Sequence, residues 1–356
     1  MKKILALLMV VAMVLVAFVG CSKQPAEQPK TETPKTETPK TETPAATGDA
    51  VKTGIAVISS IGKSTDAASD KEGLAQVDST VVAVTVDKDG KIVKCAIDSA
   101  QTKINFSADG KITTDKTKIF AAKQELGKEY GMSKASKIGK EWNEQANALA
   151  AYVIGKTVDE VKGIKVTEEG VPTDADLAAS VTVKIGGYVD AIEKAVANAK
   201  DLGAKAGDKL GLGVTTSIAK SADAGEKDGV AQAYTYYTAT TFGADGKITS
   251  CAIDASQSNV NFTKEGKITS DLKAPLKSKV ELGNDYGMKK ASKIGKEWFE
   301  QSDAFSKYAV GKTVEEIKGI AVDEKGHATS ADLTASVTVG IGEFQETIEK
   351  AQANAK

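Results

Sequence analysis

The chain has 356 residues, 41% of them apolar and 27% charged, with a formal net charge of -1. That balance allows a packed core and implies no polyanionic partner, so nucleic acid is not an expected ligand. One histidine, His327, and three cysteines leave no Ser/His/Asp relay in each half, no haem-attachment motif and no Cys/His zinc set. Demanding chemistry has to come from an imported cofactor.

The chain opens MKKILALLMVVAMVLVAFVGCSK, with Lys2 and Lys3 ahead of an apolar run from Ile4 to Gly20. A basic start, an apolar stretch and a small residue before Cys21 resemble a bacterial lipoprotein signal, although Phe18 stands where Leu is usual. Residues 1–20 read as signal peptide and Cys21 as the lipidated mature N-terminus. A transmembrane anchor is the other reading of so long an apolar run. Both place the remainder outside the membrane.

Residues 21–49 then form a tether. QPAEQPKTETPKTETPKTETPAA repeats PKTET and offers no large apolar side chain to bury, so an extended chain is expected. At about 3.1 Å per residue it reaches several tens of ångströms from the membrane.

Beyond the tether the sequence repeats itself. KCAIDSAQTKINF (94–106) answers SCAIDASQSNVNF (250–262), ELGKEYGMSKASKIGKEWNEQ (125–145) answers ELGNDYGMKKASKIGKEWFEQ (281–301), and IGKTVDEVKGI (154–164) answers VGKTVEEIKGI (310–320). The period is too long for a solenoid unit and indicates a duplicated domain, at 50–200 and 207–356. Within each copy, VVAVTVDKDGKIVKCAID alternates around a DG turn and predicts a hairpin. A second DG turn follows in INFSADGKIT. Trp142, Ala146, Leu149, Tyr152 and Val153 recur at helical spacing and predict an amphipathic helix over 138–154. Thr157 with Glu160, and Thr313 with Glu316, carry the capping-box spacing of a further short helix. YVDAIEKAVANAK reads as a closing helix. Hairpins and helices in this irregular order predict an α+β fold of two tandem domains, each an antiparallel sheet with packed helices.

GKT at 155–157 and 311–313 is not a phosphate loop, because Ala150 and Ser306 stand where the motif needs glycine. Cys95 and Cys251 sit at matching strand positions and read as buried thiols rather than a disulfide. Recurring aromatics are mostly core. The YGM segments, Tyr130 with Met132 and Tyr286 with Met288, lie in Gly-containing breaks and are candidates for contacts to a flat ligand.

DLAASVTVKIG (176–186) returns as DLTASVTVGIG (332–342). By itself this phrase could be a strand. It also places Ser180 and Thr182, or Ser336 and Thr338, just ahead of a helix start, where free N–H groups favour a phosphate. The stretch resembles the attachment motif of FMN-binding domains with covalently bound flavin, D-x-x-[ST]-G-A-T-x-T, whose Thr is esterified to the FMN phosphate. Asp176 and Thr182, and Asp332 and Thr338, reproduce its spacing. Ser-Val replaces Gly-Ala in both copies, and Ala179 or Ala335 stands where the motif has its first hydroxyl, so Ser180 and Ser336 remain alternatives. The whole unit is similar to tandem FMN-binding lipoproteins of Gram-positive extracellular electron transfer.

That resemblance implies two covalent FMN groups on Thr182 and Thr338, and an electron carrier rather than an enzyme with its own substrate. It implies installation by a Mg²⁺-dependent flavin transferase from FAD and electron supply by a membrane NADH dehydrogenase with quinone. Fe³⁺ or another external acceptor would take the electrons. The expected location is the extracytoplasmic face of the cell membrane, held by the lipid anchor alone. A non-redox solute- or cell-wall-binding lipoprotein is the rival reading. A flavinylated reductase with its own substrate lacks a duplicated His or an Arg-rich cluster to serve it.

Overall fold

The computed structural model describes residues 48–356. The expected signal peptide, Cys21 and nearly all of the expected tether lie outside the described residues. Each repeat supplies one three-stranded antiparallel sheet in sequence order, β1 (Lys52–Ser60), β2 (Gly73–Val86) and β3 (Ile92–Phe106) in the first. The second has β4 (Lys209–Ser217), β5 (Gly229–Phe242) and β6 (Ile248–Phe262). The DG turn at Asp89-Gly90 joins β2 to β3, with Val86 opposite Ile92. The second DG turn makes only one bridge, Phe106 to Ile112, and adds no strand.

Helices follow the strands in the same order in both repeats. In repeat 1 they are α1 (Lys123–Leu126), α2 (Trp142–Tyr152), α3 (Val158–Lys162), α4 (Ala175–Ala178) and α5 (Gly186–Ala197). In repeat 2 they are α6 (Lys279–Leu282), α7 (Trp298–Ala309), α8 (Val314–Lys318), α9 (Ala331–Thr334) and α10 (Gly342–Ala353). The fold is therefore α+β. The predicted helix over 138–154 begins only at Trp142, because Glu141 and Glu144 form a reciprocal cap there that satisfies otherwise free N–H groups. Thr157 and Thr313 cap α3 and α8 as expected, accepting from the N–H of Glu160 and Glu316. Among the described residues no helix is long and apolar enough to cross a membrane.

The strands are more deeply buried than the sequence alternation suggests. Every residue from Val81 to Val86 is buried, including Thr85. Val82, Val84 and Val86 pack on the helices of their own repeat with Trp142, Leu149 and Ile192, whereas Val81 and Ala83 join Leu210, Leu212, Val214 and Tyr237 of the other repeat. A strand covered on both faces reads as a near-continuous apolar run, and here the second cover is the partner sheet. In β5 the equivalent stretch contains threonines, whose hydroxyls find partners: Thr238 donates to Thr347 at 2.7 Å and Thr241 pairs with Ser250 at 2.7 Å.

The two repeats thus share one core. Phe106 and Phe262 stack across it at 4.3 Å between ring centroids. Contacts are reciprocal: Ala67 N–H donates to Gly266 O and Ala224 N–H to Gly110 O, both at 2.8 Å, while Ile112 N–H donates to Asp223 and Ile268 N–H to Asp66. Exchange of equivalent contacts is the signature of a two-fold interface, built here within one chain. Gly110 and Gly266 lie at this crossing with φ of 73° and 68°. A Cβ on Gly110 would sit 2.7 Å from Lys264 Cα, and one on Gly266 would sit 2.6 Å from Ala67 Cβ. Both the backbone turn and the close approach require glycine.

Candidate functional site

The SVT phrase is not a strand. In each repeat a one-turn helix, α4 or α9, is followed by an irregular stretch that leads into the long closing helix, α5 or α10. The irregular stretch is pinned from below by a buried glutamine. Gln145 and Gln301 are fully buried; the Oε1 of each accepts the backbone N–H of Thr182 or Thr338 at 2.8 Å and the threonine hydroxyl at 3.3 Å. Each Nε2 in turn donates to a serine hydroxyl, Ser136 or Ser292, and to the carbonyl of Lys140 or Lys296. A buried amide with both ends satisfied is a rigid anchor, and it holds the motif threonine identically in both repeats.

The alternative serines are held differently. Ser180 accepts from Lys140 Nζ at 3.2 Å, whereas Ser336 donates to Leu333 O at 3.3 Å. Asp176 and Asp332 are exposed on α4 and α9.

In repeat 2, Thr338 lines a cleft of about 520 Å³. Met288, Val337 and Val339 supply apolar wall, and Gln301, Lys293 and His327 supply polar groups. That volume lies within the range of small-molecule sites. An apolar wall beside one lysine and an amide, with a hydroxyl at its edge, suits a flat ring, and Lys293 is the lining cation available to an anionic group, while the Asp323 carboxyl lines the same cleft. His327 lies at the cleft, its Nδ1 3.1 Å from Asp323 Oδ2. Bonds from the His327 backbone and ring help hold the Asp323 carboxyl below its usual range. Ser336, Asp332 and Tyr286 do not line the cleft. The starts of α5 and α10 carry no side-chain cap.

The YGM segments divide. Met132 and Met288 donate their N–H groups to buried Glu141 and Glu297 at 2.8 Å, and Met288 reaches the cleft. The tyrosines instead cover lysines. Lys123 Nζ lies 4.5 Å from the Tyr130 ring, and Lys279 Nζ lies 4.4 Å from the Tyr286 ring.

Lys279 is the more unusual of the pair. It is 2% exposed, donates to the Tyr234 hydroxyl, and is walled by Tyr234, Tyr286 and Trp298 at 4.3, 4.4 and 5.0 Å. Burial pushes its pKa down to about 7, opposed by the charges of Asp254 and Glu343. The unfolded chain, with an ordinary lysine near 10.4, then binds the proton that the folded chain has lost across the interval from about 7 to 10. Stability should rise with pH through that interval, by at most about 1.4 kcal/mol per unit, and be flat in this respect below it. Urea unfolding at pH 6.5, 8 and 9.5 should show this rise in the native chain and lose it in Lys279→Met. An unchanged pH dependence in the variant would contradict it.

The thiols are free, Cys251 buried and Cys95 half-buried. Burial pushes them up to about 11 and 12 respectively, so both are poor nucleophiles. Asp98 and Asp254, at matching positions beside them, are also buried and raised, to about 7 and about 6, by loss of solvent. Among the described residues no cluster of His, Cys, Asp or Glu could hold a metal ion.

Motif reasoning alone does not mark Gln145, Gln301, His327 or Lys279 as site residues. The glutamines stand in the repeated IGKEWxEQ phrase, and repetition of a polar residue on an apolar helix face is a usable signal. No local signal marks Lys279, whose cage is assembled from β5, α7 and the turn before it. Comparison with protein-family models, with curated proteins and with solved structures returns no match for this chain.

Proposed function

We propose that the chain is a lipid-anchored electron carrier on the extracytoplasmic face of a Gram-positive membrane, with one FMN held per repeat as a phosphoester of Thr182 and Thr338. The observation that carries this reading is the pair of threonines, each fixed by its own buried glutamine, with Thr338 at the wall of a cleft of small-molecule size. Thr182 and Thr338 share one environment where Ser180 and Ser336 do not, which favours the threonines as the modified residues.

Attachment would need a Mg²⁺-dependent flavin transferase. In that transfer the Thr oxygen would form the new P–O bond as the pyrophosphate bond of FAD broke, with AMP as leaving group and the hydroxyl proton passing to a base of the transferase. Bound FMN supplies reversible electron transfer. The chain supplies the rest: Gln301 orients Thr338, Met288, Val337 and Val339 offer apolar surface to the ring, and Lys293 offers a cation to the phosphate. A covalent link prevents loss of cofactor by dilution outside the cell. The proposed donor is a membrane NADH dehydrogenase with its quinone, and the proposed acceptor is Fe³⁺ or another external oxidant.

Coexpression with a flavin transferase tests the reading. Intact mass should show two FMN esters per chain, and the protein should be yellow. A colourless, unmodified chain from cells that flavinylate a control protein would leave the non-redox binding lipoprotein in its place.

A further inference from the structure

Where the two repeats meet, a second cavity opens that belongs to neither alone. It has a volume of about 540 Å³, within the small-molecule range. Repeat 1 contributes Thr53 and Ile55 of β1, and repeat 2 contributes Cys251 and Asp254 of β6 with Phe299 and Ser306 of α7. It is separate from the Thr338 cleft, with which it shares no lining residue.

The feature that asks for an occupant is Ser306. Its side chain is buried, at 4% exposure, and its Oγ has no hydrogen-bond partner of ordinary geometry among the described residues. The Cys251 thiol lies beside it, and a thiol is only a weak donor and acceptor. A buried hydroxyl left so poorly paired is costly and calls for an explanation. Thr53 differs in being satisfied, paired with Ser250 at 2.7 Å.

The two-fold arrangement provides an internal comparison. The equivalent groove on the other side, lined by Cys95, Ile97, Asp98 and Leu210, is only about 190 Å³. There Ala150 stands for Ser306 and Leu210 for Thr53. The fold therefore does not need the serine. The smaller groove has alanine and leucine where the larger one has Ser306 and Thr53.

Charge narrows the ligand. At the rim, Lys194 of repeat 1 pairs with Glu281 of repeat 2 at 2.7 Å, and Lys307 pairs with Asp303 at 2.7 Å. Asp254 lies buried in the wall, its Oδ1 accepting the N–H groups of Ala255 and Val280 at 2.7 and 3.1 Å. Lys200, Lys296 and Glu300 complete the charged lining, so four lysines (Lys194, Lys200, Lys296, Lys307) stand against four carboxyls (Asp254, Glu281, Glu300, Asp303) with no net charge to favour an ion, and a buried carboxyl disfavours an anion beside it. Apolar Ile55, Ile253 and Phe299 suit a hydrophobic body.

We propose that this inter-repeat cavity binds an uncharged, mainly apolar small molecule whose single oxygen function hydrogen-bonds Ser306. The site exists only because the repeats dock, and it does not depend on flavin attachment. Full chain prepared without a flavin transferase is titrated with 1-naphthol, followed by amide NMR shifts. Saturable shifts are expected at Ile253, Val280 and Ser302, with those around Thr338 unmoved. Ser306→Ala copies repeat 1 and should fold normally. Loss of one neutral hydrogen bond should weaken 1-naphthol about three- to tenfold. Naphthalene should bind both proteins equally, and 1-naphthoate neither. Absence of saturable shifts in this cavity, shifts confined to the Thr338 cleft, or equal 1-naphthol affinity in Ser306→Ala would overturn the proposal.

Discussion

Thr338→Ala is expected to carry one FMN ester where the native chain carries two, Thr182→Ala likewise, and the double variant none. The effect is all-or-none because the ester needs an oxygen at that position and nothing else in the side chain. Stability should change by less than about 1 kcal/mol, since the bond to Gln301 that fixes the backbone comes from the Thr338 N–H and survives the substitution. Intact mass and in-gel flavin fluorescence give the stoichiometry, and urea unfolding gives the stability. Ser336→Ala should retain both esters. Loss of an ester in Ser336→Ala but not in Thr338→Ala would move the attachment to the serine and leave the wider reading intact. Esters retained in every one of these variants would place flavin outside the repeated phrase.

Phe262→Ala should be the most destabilising single change in the shared core, at about 3–5 kcal/mol. Phe262 is fully buried and stacked on Phe106. Its ring also lies against Gly229, where a Cβ would come within 2.5 Å of ring carbons. Strand backbone on that side offers no side chain to fill the vacancy. Because the ring bridges both repeats, the loss should fall on one cooperative transition rather than on repeat 2 alone. Coincident fluorescence and circular dichroism curves in urea check this. Two separated transitions in the native chain would show independent cores. The Phe106→Ala, Phe262→Ala double variant should cost less than the sum, by about 0.5–1.5 kcal/mol, since each single change already removes the stack.

The candidate site is partly legible in the amino-acid sequence. The threonine pair stands out because it recurs at fixed distance from Asp176 and Asp332, and recurrence in a duplicated chain singles out positions. The tyrosines of the YGM segments are equally recurrent, yet they lie over Lys123 and Lys279. Repetition identifies residues that matter to the fold or the site without separating the two. That separation depends on which way a side chain points, and only Met288 of the Tyr286–Met288 pair faces the cleft.

The sequence by itself determined the local structure: DG turns that fold β2 onto β3, T-x-x-E caps that start α3 and α8, the amphipathic stripes of α2 and α5, and the duplication. These follow from interactions among residues close in the chain, and local patterning records them. Only the tertiary structure decided that the two repeats share one core, that Gln145 and Gln301 hold the threonines, that Lys279 is caged, and that a cavity opens beside Ser306. Each of these depends on surfaces that meet across more than thirty residues of chain, or across the two repeats. A valine facing its own helices and a valine facing the partner sheet are the same letter, and burial on both faces is settled by what packs there.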